Sequence, residues 1–265
     1  MPEKIVPDNI TGVGRTLFTP LKYRALYSKS SDNGYEDAIA EKFYESIDYP
    51  WGPINHKPSL WGVVVRTEIL DAFCSSYLSQ NPGATVVNLG AGLCTRFHRL
   101  GQPDANWIEV DLPEVIEFRK LLGEPSNPRH MFFKATLPDE RLYSYLTSLS
   151  SSKYLFIAEA LLMIFSEMDV RQMFNKFLNL PADSDIVFDA ASPLLTSYKN
   201  IFSGSRYSWG LWDSRSLESW GDNITLVDEW CYGGRHPELL DILRRTLFQA
   251  PLLNSMLKIV HVKNR

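Results

Sequence analysis

Gly90-Ala91-Gly92 follows directly on Ala84-Thr85-Val86-Val87-Asn88-Leu89, an apolar run opened by the Pro82-Gly83 break. A strand that enters two closely spaced glycines lets the backbone turn sharply and approach a ligand with no Cβ in between. A second run, Asn106-Trp107-Ile108-Glu109-Val110, ends at Asp111. That is about 20 residues further on, where open α/β sheets place the acid that accepts hydrogen bonds from ribose hydroxyls. Glu109 lies on the same strand face. Asp111 could equally cap the helix opening at Pro113, and the two roles are compatible. Thr95 stands where the dinucleotide fingerprint needs a third glycine, which disfavours a pyrophosphate ligand. S-adenosylmethionine has no phosphate and asks less of that helix end. A nicotinamide dehydrogenase is the rival class for the same glycine turn and acid.

Arg66, in Val65-Arg66-Thr67-Glu68, lies upstream on a stretch of helical spacing. Its guanidinium suits bidentate pairing with a cofactor carboxylate, although a surface arginine could instead pair with Glu68 or Asp71. Glu159 follows the buried-type run Tyr154-Leu155-Phe156-Ile157-Ala158, at a strand's carboxyl end, where such sheets bind ligands. Facing a helix dipole is its alternative role. The segment Ser203-Gly204-Ser205-Arg206-Tyr207-Ser208-Trp209-Gly210 combines rings with small polar residues, and Arg206, Tyr207 and Trp209 are candidate acceptor contacts. Those rings could equally close the core's edge. His56, His98, His130 and His236 would matter if a phenol had to be deprotonated, but lone histidines are more often structural. None is assigned a catalytic role, and no metal site is expected.

The elements that must position these residues read as βα units on a largely parallel sheet. Met131-Phe132-Phe133-Lys134 and Asp185-Ile186-Val187-Phe188-Asp189 add to the three runs above, and Ile224 to Trp230 with Leu257 to Val262 complete a seven-strand count on weaker alternation. Pro113 opens one helix, and Ser166-Glu167-Met168-Asp169 is a capping-box-like start to another through Phe177. Residues 1–80 mix aromatics with charges and show helical spacing from Ala38 to Ile47 and from Leu60 to Leu78. They are expected to form a helical cap over a core spanning 81–265.

The chain has 265 residues, enough for one α/β domain with an appended segment. With 27 Lys and Arg against 31 Asp and Glu, the net charge is -4, and without a basic block nucleic acid is discounted as a partner. Three cysteines with no C-x-x-C pair imply neither a disulfide framework nor a zinc knuckle and fit a reduced cytoplasm. The N-terminal residues have no signal-peptide core and no run reaches a membrane span, so a soluble, unprocessed protein is expected.

Val86 to Phe97, Glu109-Val110-Asp111-Leu112-Pro113-Glu114-Val115 and Ile157-Ala158-Glu159-Ala160-Leu161-Leu162-Met163 together resemble the leucine carboxyl methyltransferase family. The likeness is greater to its bacterial branch of tetracenomycin-type polyketide O-methyltransferases, and it continues through Phe188 to Pro193 and Tyr207 to Leu211. It covers about Arg66 to about Trp230. The resemblance implies a class I methyltransferase fold, Rossmann-like, with S-adenosylmethionine as donor and methyl transfer to oxygen, often of a carboxylate. It gives Arg66 the methionine carboxylate, Gly90 to Gly92 the passage of the cofactor, and Asp111 the ribose. The adenine falls to the position after the third strand, here Thr136-Leu137 where the family commonly has Asp-Leu. Arg66, Asn88, Gly90, Ala91, Gly92, Asp111, Leu112, Thr136, Leu137 and Glu159 are thus the expected cofactor residues. Relatives usually carry Asp at the position of Cys94 and, at that of Ile164, a Tyr that often faces the acceptor. The expected acceptor is a small-molecule carboxylate or phenol, with a polyketide-like metabolite as one case. A protein C-terminal carboxylate and a non-catalytic cofactor-binding protein are the alternatives.

Overall fold

The computed structural model describes residues 4–30, 34–52, 57–125, 127–195, 207–240 and 254–264. Seven strands form one sheet: β1 (Thr85–Leu89), β2 (Asn106–Asp111), β3 (His130–Lys134), β4 (Lys153–Ala158), β5 (Asp183–Ala191), β6 (Ile224–Cys231) and β7 (Leu257–Asn264). Their order is β3-β2-β1-β4-β5-β7-β6. The first five pair in parallel, while β7 is antiparallel to both β5 and β6. The chain reverses its direction of travel across the sheet between β1 and β4. In open α/β sheets that switch point leaves a crevice beyond the strands' carboxyl ends.

Successive residues of each strand serve opposite faces. Val87, Phe156 and Phe188 join one buried cluster with Leu142 and Leu146 of α6 (Glu140–Ser148) and Val170, Phe174 and Phe177 of α7 (Glu167–Leu178). Val86, Leu155 and Val187 join another with Trp61, Val65, Leu70 and Cys74 of α3 (Lys57–Gln80). The long helix α3 thus covers a face of the sheet. A third cluster joins α1 (Phe18–Ser28) and α2 (Ala38–Ser46) to Leu93 and to Val115 and Phe118 of α5 (Pro113–Leu121), beside the glycine turn.

The helix starts behave as their sequences dictate. The Ser166 hydroxyl accepts from the Asp169 N–H and the Asp169 carboxylate accepts from the Ser166 N–H, a complete capping box. Pro113 occupies the first turn of α5, where its missing N–H costs nothing. The helix of the glycine turn, α4 (Arg96–Arg99), is a single turn. Among the described residues no helix is long and apolar enough to cross a membrane.

Phe156 is fully buried and stacks on Phe177 at 4.3 Å. Phe156→Ala is expected to cost about 3–5 kcal/mol, measured by denaturant unfolding. A loss below about 1 kcal/mol would show that this layer is not the core's centre.

Candidate functional site

A cavity of about 730 Å³ opens over the carboxyl ends of the strands at the β1/β4 switch point. Arg66, Asn88, Gly90, Ala91, Gly92, Asp111, Leu112, Thr136, Leu137 and Glu159 all line it. They come from five places in the chain: the end of β1 with its turn, the end of β2, the segments after β3 and after β4, and the middle of α3.

The turn itself is shaped by backbone geometry. Gly90 has φ of +60°, and a Cβ there would lie 2.5 Å from Leu161 Cδ1. Gly92, at φ of +51°, would bring a Cβ to 3.2 Å from Leu17 Cβ. Only glycine adopts both conformations without strain. Across the turn, Asp111 Oδ2 accepts the Gly92 N–H at 2.6 Å and Oδ1 accepts the Leu112 N–H at 2.7 Å. Burial pushes the Asp111 carboxyl up from its ordinary value against the pull of these two amides. Leu112, rather than Asp111, is the N-cap residue of α5.

Beneath the turn, Arg119 of α5 donates to Gly92 O at 3.2 Å and to Cys94 O at 3.0 Å. It is held in turn by Glu124 (2.7 Å) and Glu109 (3.5 Å). Glu109 therefore belongs to the turn's support: it is fully buried and also accepts from the Asn88 amide at 2.6 Å. His98 and His130 complete this cluster, His98 at 2.7 Å from Glu124 and His130 at 3.1 Å from Glu109. Their atoms and Glu124's lie close enough to ligate a metal, but the Arg119 guanidinium already supplies the positive charge between the two acids. Among the described residues no histidine lines the cavity.

Arg66 donates through Nε to Glu159 Oε1 at 3.0 Å and through Nη1 to Asp189 Oδ2 at 3.2 Å. Pairing with Glu68 or Asp71 is not what is found: Glu68 meets His236, and Asp71 meets Arg96 and Arg99. Glu159 also accepts from Arg96 at 2.7 Å. Burial alone would raise the Glu159 carboxyl; Arg96 and then Arg66 overcome it and hold it well below the usual carboxylate range. Ala160, next in the chain, has a left-handed φ of +55°, and its N–H donates to Asp189 Oδ1 at 2.6 Å. For a residue with a Cβ that conformation is strained, and strain of this kind gathers at functional sites.

Sequence reasoning did not place Asp189 or Tyr232 at the site, yet both line the cavity. Asp189 carries the signal that singled out Glu159: an acid at the end of a buried strand. Of the expected acceptor contacts, Tyr207 lines the cavity and Arg206 lies outside the described residues. Trp209 needs correcting. It is 4% exposed and packs in the core, 6.0 Å from Phe188 and 5.8 Å from Trp220 ring to ring, away from the cavity wall. The large apolar ring gains more from that cluster than from a wet wall. Ile164, where the family resemblance leads one to expect Tyr, lines the cavity.

The leucine carboxyl methyltransferase family model matches residues 21–177, more than half of the chain. The chain belongs to that family. It is an S-adenosylmethionine-dependent methyltransferase, and the match takes in the glycine turn, Asp111 and Glu159. The tetracenomycin polyketide synthesis O-methyltransferase of Streptomyces glaucescens is 29% identical over 83% of this chain and 83% of its own. An S-adenosyl-L-methionine-dependent methyltransferase of Gibberella zeae is 28% identical over 59% of this chain and 58% of its own. Among solved structures, a Synechocystis magnesium protoporphyrin IX methyltransferase with bound SAH superposes with a TM-score of 0.51 at 14% identity, covering 81% of this chain and 90% of that one. An S-adenosylmethionine-dependent methyltransferase from Anabaena variabilis gives 0.52 at 12% identity, covering 77% and 87%. These structural likenesses establish the class I fold that the sequence implied.

Two outcomes follow for this methyltransferase. Gly90→Ala is expected to lose about 1 kcal/mol or more of stability and to weaken S-adenosylhomocysteine binding, whereas adding Leu161→Ala relieves the clash and recovers part of both. Unchanged melting and calorimetry in the single variant would remove the steric argument. The second concerns pH. Burial would raise Glu124, but Arg119 and His98 prevail and hold it at about 2, below its ordinary 4.5. Its stabilising contribution is therefore complete above about 4.5 and is lost as pH falls toward 2. Unfolding curves across that window should be flatter for Glu124→Gln than for the wild type; parallel curves would show that Glu124 does not carry the effect.

Proposed function

We propose that this methyltransferase transfers a methyl group to an oxygen of a small-molecule acceptor, a carboxylate or a phenol, with a polyketide-like compound as one case. The name of the Streptomyces glaucescens relative, an O-methyltransferase, supports the oxygen. One observation carries the assignment of the site: the glycine turn, Asp111, Glu159 and Arg66 converge on a single cavity at the switch point.

The residues present fit the cofactor. Side chains at Gly90 or Gly92 would crowd Leu161 or Leu17, and as glycines both residues line the cavity with bare backbone. Arg66 Nη2 donates to no described group, so the guanidinium keeps a free edge for the methionine carboxylate. Asp111 has lone pairs left for the ribose hydroxyls, and the Thr136 hydroxyl can meet the adenine amino group, more weakly than a carboxylate would. Glu159, kept ionised, orients Arg66. When bound, S-adenosylmethionine supplies a methyl on a sulfonium. The wall's task is to hold the acceptor oxygen in line with the breaking C–S bond as the C–O bond forms. A carboxylate acceptor arrives deprotonated and releases no proton; a phenol has to lose one. We place the reaction in a reduced cytoplasm, a reading supported by three free thiols, of which Cys74 and Cys94 are buried.

Calorimetry with S-adenosylhomocysteine tests the site. Asp111→Ala should weaken binding by about 1–3 kcal/mol in a protein whose melting shows it folded. Unchanged affinity would take Asp111 out of the site, and tight NAD binding without S-adenosylhomocysteine binding would overturn the reading as a whole.

A further inference from the structure

The cavity has more wall than the cofactor residues account for. Asp111 and Thr136 sit over β2 and β3, and Arg66 and Glu159 over the end of β4. Past them in the sheet order come β5 and β7, where Asp189, Leu257 and Tyr232 continue the same wall. Tyr232 follows β6, and its N–H donates at 3.1 Å to the carbonyl of Leu257, the β7 residue paired with Ala191 of β5. It therefore stands at the far end of the cavity from the adenosine side, and beyond residue 177, where the family match ends.

Its ring is immobilised. Tyr232 is 3% exposed and lies edge-on to Trp61 at 6.1 Å, and the Trp61 indole N–H donates to Arg235 O at 2.8 Å. His236 ties the same segment to α3 through Glu68 at 2.5 Å. Yet among the described residues the hydroxyl at the end of this fixed ring makes no hydrogen bond, and Tyr232 lines the cavity. The ring is buried while the hydroxyl opens on the cavity, so a partner for it is to be sought in a ligand atom there.

We propose that Tyr232 holds the methyl acceptor, donating its phenolic hydrogen to an anionic oxygen on an apolar body. Burial and the neighbouring Asp189 carboxylate raise the phenol well above its ordinary value, so it donates and does not take a proton. Among the described lining residues the acids are already engaged: Asp111 by two amides, Glu159 by two arginines, and Asp189 by Arg66 and the Ala160 amide. Such a wall suits an oxygen that arrives without its proton. Val63, Met163, Ile164, Phe165 and Leu195 supply apolar surface for the rest of the molecule.

The proposal rests on the methyl-transfer reading and is tested on the full chain saturated with S-adenosylhomocysteine. Tyr232→Phe keeps the ring on Trp61 and removes only the hydroxyl. With 1-naphthoate as the anionic probe and 1-naphthol as its neutral counterpart, the variant should bind naphthoate about tenfold more weakly, with naphthol and S-adenosylhomocysteine affinities unchanged. Equal naphthoate affinity in variant and wild type, or none in the wild type, overturns the proposal. So does a fall in S-adenosylhomocysteine affinity, which would make Tyr232 a cofactor contact, and an equal loss for naphthol overturns the anionic oxygen. Failure of S-adenosylhomocysteine to bind the wild type would instead mark the failure of the underlying site assignment.

Discussion

A chain of alternating charges, buried or half-buried, holds the site together. It runs Asp189, Arg66, Glu159, Arg96, Asp71, Arg99, Asp37, Arg24, each linked to the next by an ion pair of 3.4 Å or less. Any one of these charges alone in the interior would cost several kcal/mol, and a single pair seldom recovers that cost. Alternation changes the balance, because each interior member has an opposite charge on both sides. The chain also joins elements far apart in sequence: β5, α3, the segment after β4, α4, the start of α2, and α1. Its end members, Asp189 and Arg24, both line the cavity.

From this chain follows the preorganisation of the cofactor side. Arg66 is aimed by two acids before any ligand arrives, so in the proposed carboxylate role little side-chain entropy would remain to be lost. The other end secures the turn, since Arg24 donates to Leu93 O at 2.7 Å just past Gly92. Thr95, the residue that departs from the dinucleotide pattern, gives its hydroxyl hydrogen to Asp37 at 2.6 Å and so joins the same network. The position that disfavoured a pyrophosphate by its sequence thus serves, in the fold, to anchor α2 to the glycine turn.

Much of this was legible in the chain. The apolar runs at Val86, Ile108, Phe132, Leu155 and Val187, each bounded by turn residues, became the parallel strands because short buried runs carry their own boundaries. Even the weaker alternation at Leu226 and Val260 proved to be β6 and β7. The cavity-lining residues were readable because the switch-point geometry puts strand ends at the crevice, so an acid after a buried run is informative by position alone. The charge chain was not readable. Its partners lie up to 123 residues apart, as Arg66 and Asp189 do, and no local spacing announces such a pair. Trp209 was misread for a related reason: in a glycine- and serine-rich loop nothing periodic says which way a ring faces, and Phe188 and Trp220 decided it.

Cys94 shows how the chain constrains a residue that looked like a mere departure from the family pattern. Its thiol lies 3.6 Å from Arg96 Nη1, a weak contact at that distance. Arg96 is fully buried and already serves Asp71 at 2.6 Å and Glu159 at 2.7 Å. An aspartate at position 94 would bring a fifth acid against the same four arginines and would compete with Glu159 for the Arg96 guanidinium. In a site of low dielectric that competition would loosen Glu159, and with it the group that aims Arg66. With Cys94 in place the acids and arginines of the chain stay equal in number, and Glu159 keeps its hold on both Arg66 and Arg96.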